Sequence, residues 1–268
     1  MRAVLILFVF SCFAAQAWAC GPGIDCKVGE RHYRISLPDS YDGKTSVPVL
    51  IFAHGYRGSA AGVMRNRVLR RLASDLGAAL IAVKSSRLDW DLPNSPSSPR
   101  SDGSVEFDYF DAVVTDAATR FAIDENRIVA SGFSAGGMMV WNLACTRPER
   151  YAGFIPIAGT FWKAPPKTCA QPVANIIHIH GDQDSTVPLL GRPIGQTTQG
   201  RVPESMKMYS EFGDFGPATR KNYEGLACKE RTSASGAVLD FCLFSGGHSF
   251  RTEHLRHGWM RLKEAGRL

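Results

Sequence analysis

Short apolar runs alternate with longer amphipathic stretches along most of this chain. The β-branched and aromatic runs predict strands near residues 32–37, 47–53, 78–83, 127–131, 153–158, 173–180 and 237–244. Between them, apolar residues recurring at helical spacing predict helices over 60–76, 105–121, 134–147, 203–212 and 251–264. Strands that alternate with helices in this way belong to an α/β protein, with a mostly parallel twisted sheet and helices on both faces. Sites in such sheets form beyond the carboxyl ends of the strands. The loops that follow the predicted strands are therefore where chemistry should be sought.

The loop after 127–131 carries the clearest signal. In RIVASGFSAGG, Arg127 to Gly137, a strand-like run delivers Ser134 into a turn with Gly132 and Gly136 two residues to either side, and MMVWNLAC continues as an apolar helix. The G-x-S-x-G elbow needs such side-chain-free neighbours, because the serine sits on a tight strand-to-helix turn. That arrangement marks Ser134 as a nucleophile.

A nucleophilic serine needs a base, and the base needs an orienting acid. The run VANIIHIH is followed by GDQDSTVP, which places Asp182 and Asp184 beyond a strand end, and either can serve as the acid. AVLDFCLF is followed by SGGHSF, which places His248 beyond another, as the base. The chain order serine, aspartate, histidine is that of the α/β-hydrolases and differs from the chymotrypsin and subtilisin orders. After VPVLIFA, the turn at His54 and Gly55 offers the amide of Tyr56, which with the amide of Ala135 would form an oxyanion hole. His54 precedes the elbow and reads as an orienting residue for that loop. His178 and His180 read as satisfied core or loop histidines.

The segments HGYRGS, DENRIVASGFSAGG, HGDQDSTVP and GGHSF together resemble the secreted polyhydroxybutyrate depolymerase and feruloyl esterase group of α/β-hydrolases, over residues 54–250. The resemblance implies the α/β-hydrolase fold and a serine carboxylic ester hydrolase with no cofactor. It also assigns the acid to Asp184, the aspartate of the family's HGxxDxxVP pattern, and leaves Asp182 to structure the loop. Acetyl, feruloyl and hydroxyalkanoate esters are all compatible with these motifs. Tyr56 departs from the small residue or cysteine of many depolymerases and argues against an insoluble polymer. An acyltransferase or a peptidase would use the same triad, whereas a catalytically silent binding protein would usually lack one of its members.

For the substrate cleft, Trp90 with the loop Asp91 to Ser104, and Phe161 with Trp162, follow predicted strands and are candidate contacts. Such aromatics would suit a small-molecule or oligomeric ester, including a phenolic or polysaccharide-linked one.

The composition fits a single exported enzyme domain. With 268 residues, 44% of them hydrophobic, the chain is long enough for one large core. Residues 1–19, MRAVLILFVFSCFAAQAWA, carry one basic residue, an apolar run and a small-x-small site, and read as an export signal that leaves a catalytic domain of 20–268, secreted or periplasmic. An acylated Cys20 is disfavoured by Ala17 and by the odd cysteine it would leave. Seven cysteines become six once Cys12 leaves with the leader, and an even number in an oxidising compartment predicts disulfides. Sequence does not fix the connectivity, but nearness suggests Cys20 with Cys26 and Cys228 with Cys242, and Cys145 and Cys169 remain. The cysteines lack the paired spacing of a zinc site. The formal charge of +6 falls to +5 without Arg2, and Arg65 to Arg71 reads as a solvated helix face. No motif for nucleic acid, nucleotide phosphate or a membrane span is present.

Overall fold

The structure is a computed structural model and describes residues 20–268; the leader expected at 1–19 lies outside the described residues. The chain opens with two short strands, β1 (Cys26–Val28) and β2 (Arg31–Ser36), and enters the core as β3 (Val47–Ala53). Helices α1 (Ala60–Arg65) and α2 (Arg67–Asp75) lead to β4 (Ala79–Val83), and α3 (Ser104–Arg120) to β5 (Ile123–Phe133). Helix α4 (Ala135–Thr146) follows at once, then β6 (Gly153–Ile157) and β7 (Ile176–Gly181). A small ribbon, β8 (Pro193–Ile194) with β9 (Thr197–Thr198), precedes α5 (Val202–Phe212). Strands β10 (Thr219–Tyr223), β11 (Leu226–Thr232) and β12 (Val238–Phe244), then α6 (Thr252–Glu264), complete the chain.

Ten strands form one sheet in the order β1-β2-β4-β3-β5-β6-β7-β12-β11-β10. The six central strands from β4 to β12 are mutually parallel, and the pairs at both margins are antiparallel. The side-chain alternation of β3 shows how the layers are built. Val49, Ile51 and Ala53 face a core shared with α3 and α4, while Leu50 and Phe52 face a second core shared with α1, α2 and α6. Because both faces are covered, these strands read as continuous apolar runs.

The α/β reading therefore holds, with instructive differences at the elements. The single helix expected over 60–76 is broken at Asn66, whose extended backbone (φ −72°, ψ 94°) ends α1 and whose side chain accepts the Leu69 amide to start α2. The strand expected over 127–131 runs from Ile123 to Phe133. The marginal strands β1, β10 and β11 were not anticipated, since β10 is TRKNY with every residue exposed and so carries no apolar signal.

Among the described residues three disulfides join Cys20 to Cys26, Cys145 to Cys169 and Cys228 to Cys242, the first and last as nearness in sequence suggests and the second as the remaining pair. The last links facing positions on β11 and β12. Cys145, near the end of α4, is tied to the segment that leads to β7, and the Ala170 amide donates to the Cys145 carbonyl at 2.8 Å. Among the described residues no helix is long and apolar enough to cross a membrane. Removing the Cys145–Cys169 crosslink, which closes a loop of 24 residues, by a Cys145→Ala, Cys169→Ala double substitution should lower unfolding free energy by about 3 kcal/mol. Urea denaturation under oxidising conditions measures this, and an unchanged midpoint would show that the crosslink constrains nothing.

Candidate active site

Ser134 sits between β5 and α4 with φ 60° and ψ −121°, a backbone conformation that non-glycine residues rarely adopt. The surrounding packing imposes it. A Cβ on Gly132 would lie 2.5 Å from the Gly136 carbonyl oxygen, and one on Gly136 would strike the Ala53 carbonyl oxygen at the end of β3. Only glycine lets α4 start this close to β3 and β5. The Ser134 amide donates to the Ile157 carbonyl at 2.9 Å, and the Ser134 carbonyl accepts from Met138 at 3.0 Å.

The loop after β3 is held by His54, which is 3% exposed. Its Nε2 accepts the Ser85 amide at 3.2 Å, so its hydrogen is on Nδ1, which donates to the Gly55 carbonyl at 2.7 Å. Both ring nitrogens are thus committed to the loop, which suits an orienting residue rather than a base. Burial first, and then the nearby Lys84 cation, push its pKa down to about 4. The Trp90 indole N–H donates to the His54 carbonyl at 2.8 Å. Next along the loop, Arg57 donates its amide to Leu88 and Gly58 to Gly55. Among the described residues the amides of Tyr56 and Ala135 donate to no backbone carbonyl, and Ala135 opens α4, where helical geometry leaves an amide without a partner.

The two aspartates after β7 have different surroundings. Asp182 Oδ1 accepts the Gly246 amide at 3.0 Å and ties the β7 loop to the β12 loop. The Asp184 side chain is fully buried. Its Oδ1 accepts the Thr186 and Val187 amides, each at 2.8 Å, and its Oδ2 lies 2.6 Å from His248 Nδ1. Burial alone would raise the Asp184 carboxyl, but hydrogen bonds from His180, His248 and the Val187 amide outweigh it and hold the group well below the usual carboxylate range. The ring of His248 lies against that of Phe133, the residue before Ser134, with centroids 4.6 Å apart. Among the described residues Ser134 and His248 share no hydrogen bond. Such bonds are often long in empty sites and tighten with substrate.

The aromatics expected at the substrate cleft have two different settings. Trp90 is 1% exposed and supports the His54 loop from inside; it is no cleft wall, because its indole N–H is already engaged and its ring packs between His54 and Phe110. Phe161 and Trp162 are nearly buried and line a cavity of about 450 Å³ with Phe107, Asn142 and Cys145 along α4, and none of Ser134, Asp184 and His248 borders it. A second cavity, of about 210 Å³ and lined by Phe52, Gly55, Val63, Leu69, Phe133 and Phe250, lies beside the elbow, and Ser134, Asp184 and His248 do not line it either. Sequence reading also passed over Glu106 of α3. Fully buried, it accepts the Ser86 and Asp91 amides at 3.1 and 3.0 Å and pairs with Arg31 at 2.6 Å, so it pins the loop that carries Ser85 and Trp90. A lone acid on the apolar face of VEFDYFDAVV was the available signal.

Esterases are among the known proteins to which the chain is similar. A family described as Phospholipase/Carboxylesterase matches residues 94–211. The chain is 30% identical over 224 residues to NocK of Nocardia uniformis subsp. tsuyamanensis, named as a candidate esterase, covering 76% of this chain and 65% of that one. It is 24% identical over 240 residues to feruloyl esterase D of Neurospora crassa, covering 79% of this chain and 77% of the relative. Among solved structures, an acetyl xylan esterase from Aspergillus awamori superposes with a TM-score of 0.67 at 14% identity, over 88% of this chain and 98% of the other, a likeness of fold.

His54 gives a pH dependence with a definite sign. Between its ordinary value of 6.5 and about 4 the unfolded chain binds a proton at His54 that the folded chain refuses. Its contribution to stability is therefore complete above pH 6.5 and is lost as pH falls towards 4, by up to about 3 kcal/mol. His54→Gln should be less stable than wild type at neutral pH, with the gap narrowing as pH falls through that window. Parallel curves of unfolding free energy against pH would refute this assignment.

Proposed function

The chain is an α/β-hydrolase by fold, with esterases among the proteins it resembles, and from that premise we propose that it is an exported serine carboxylic ester hydrolase working through an acyl-enzyme. The observation that carries the reading is the strained backbone of Ser134, held at the end of β5 where a His248–Asp184 pair hydrogen-bonded at 2.6 Å borders the same elbow through Phe133. Strain of this kind persists where function requires it and packing enforces it.

In the proposed mechanism His248 takes the Ser134 proton on Nε2 as Oγ attacks the ester carbonyl. Asp184 fixes the hydrogen of His248 on Nδ1 and stabilises the imidazolium that forms. The Tyr56 and Ala135 amides receive the oxyanion, each such donor typically lowering the barrier by about 3 kcal/mol. The imidazolium protonates the departing alcohol, leaving acyl-Ser134, and His248 then activates water to release the acid. The Phe52, Phe133 and Phe250 cavity offers an apolar surface to the acyl or alcohol part of a small or oligomeric ester. Three disulfides support an oxidising destination, secreted or periplasmic, with residues 1–19 as the export signal.

Ser134→Ala should reduce hydrolysis of a short p-nitrophenyl ester by at least about 10⁴-fold and abolish labelling by a fluorophosphonate probe, with the fold retained. Turnover near wild type in the folded variant would remove Ser134 from the nucleophile's role.

A further inference from the structure

Two histidines of β7 take no part in the proposed chemistry, yet they occupy the ground between α4 and Asp184. His178 and His180 are two residues apart on one strand, so they share a face of the sheet, and both are fully buried. Their rings stack with centroids 5.2 Å apart. Trp141 of α4 places its Nε1 3.0 Å from His178 Nδ1. His178 Nε2 lies 3.0 Å from His180 Nδ1. His180 Nε2 in turn lies 2.8 Å from the Val187 carbonyl oxygen and 3.3 Å from Asp184 Oδ2.

The indole at one end fixes every hydrogen in this series. An indole N–H only donates, so His178 Nδ1 accepts and the hydrogen of His178 is on Nε2. That hydrogen faces His180 Nδ1, which must accept it. His180 therefore carries its own hydrogen on Nε2 and directs it to the Val187 carbonyl, with Asp184 Oδ2 3.3 Å from the same nitrogen. An extra proton on either ring would set N–H against N–H. Burial, with His180 adding to it, accordingly drives the His178 pKa well below its ordinary value. The other groups in contact are Phe241 of β12 beside His178, and the Thr186 and Val187 amides and His248 on Asp184.

We infer that Trp141, His178 and His180 form a one-directional hydrogen-bond relay, from the helix that begins after Ser134 to the Val187 carbonyl in the Asp184 loop, in which His178 and His180 are positioning residues for the His248 base. The inference rests on the reading of Asp184 and His248 as acid and base. Two amides hold Oδ1 and His248 holds Oδ2, and the relay fastens Val187, whose amide is one of the two donors, so the carboxylate stays aimed at the imidazole. The His180 N–H, 3.3 Å from Oδ2, also offsets part of the carboxylate charge that holds the His248 proton.

The test compares wild type with His180→Leu and His180→Gln, with Ser134→Ala and His248→Ala as references, on a short p-nitrophenyl ester across pH. Glutamine places an N–H near the position of Nε2. His180→Leu should lower kcat roughly tenfold with KM changed less than about twofold, and should move the acid limb of kcat/KM to higher pH. His180→Gln should recover most of both. In ¹⁵N-histidine spectra of the wild-type protein at neutral pH both rings should carry hydrogen on Nε2. A folded His180→Leu protein with wild-type kcat and pH limb, or an Nδ1–H form at either ring, overturns the relay, and the spectra decide alone if the leucine variant does not fold. Activity surviving in Ser134→Ala or His248→Ala would overturn the triad instead and leave the measured tautomers standing.

Discussion

Three backbones meet at the elbow with no room for a side chain between them, and the site depends on that contact. Ala53 ends β3, Gly132 lies directly beside it in register on β5, and Gly136 lies in the first turn of α4. A β-carbon at either glycine would force the helix off the sheet. Because the helix cannot retreat, the residue between strand and helix must take up an abrupt change of direction. Ser134 does so at an expense on the order of 1–3 kcal/mol. What restrains the strain is the rest of α4, which is buried along its length from Ala135 to Cys145. A helix apolar on all sides has no alternative position in water.

Around this fixed point the charges are arranged by burial and by hydrogen-bond supply. Asp184 is buried, yet its carboxylate is stabilised because three donors converge on its two oxygens and His180 Nε2 lies 3.3 Å from one of them. His54 is almost as buried and stays neutral because one of its nitrogens must accept and the other finds a carbonyl. The two residues show the same rule with opposite outcomes: the set of partners decides which protonation state a dry site permits. Glu106 extends the rule one layer outward. Arg31 offsets its charge, and two loop amides spend its remaining acceptor capacity in fixing the segment that braces His54.

The parts of this design that were legible in the sequence are those in which one local segment dictates the outcome. The elbow glycines, the strand-then-loop settings of Asp184 and His248, and the neighbouring cysteine pairs are all contained in short stretches, and the alternation of runs was enough for the parallel core. Contacts made across the fold left no local trace. Trp90 looked like a cleft aromatic because it follows a strand, but its fate depends on His54, 36 residues away. Phe161 and Trp162 follow β6, and their chain then runs down beside α4. The relay needs Trp141 to face His178 across the core, a pairing that no spacing rule expresses. Strand β10 is all polar and exists because β11 offers it a partner edge, so its reason lies outside its own sequence.

Helix α4 gathers these constraints into one rigid body. Its first residue follows the strained serine, its middle reaches β7 through the Trp141 indole, and its last turn is crosslinked through Cys145 to the segment that enters β7. Strand β7 in turn ends at the loop carrying Asp184. Helix and strand are thus fastened at two levels besides the sheet itself, and the fastenings differ in kind: a covalent bond far from the elbow and a buried polar series nearer to it. A hydrogen-bond series of this sort tolerates only one set of proton positions, so it specifies register as well as distance. The crosslink sets how far the two elements can separate, and the polar series sets which way their side chains face, which is what the proposed base, acid and alcohol, supplied by three different loops, require.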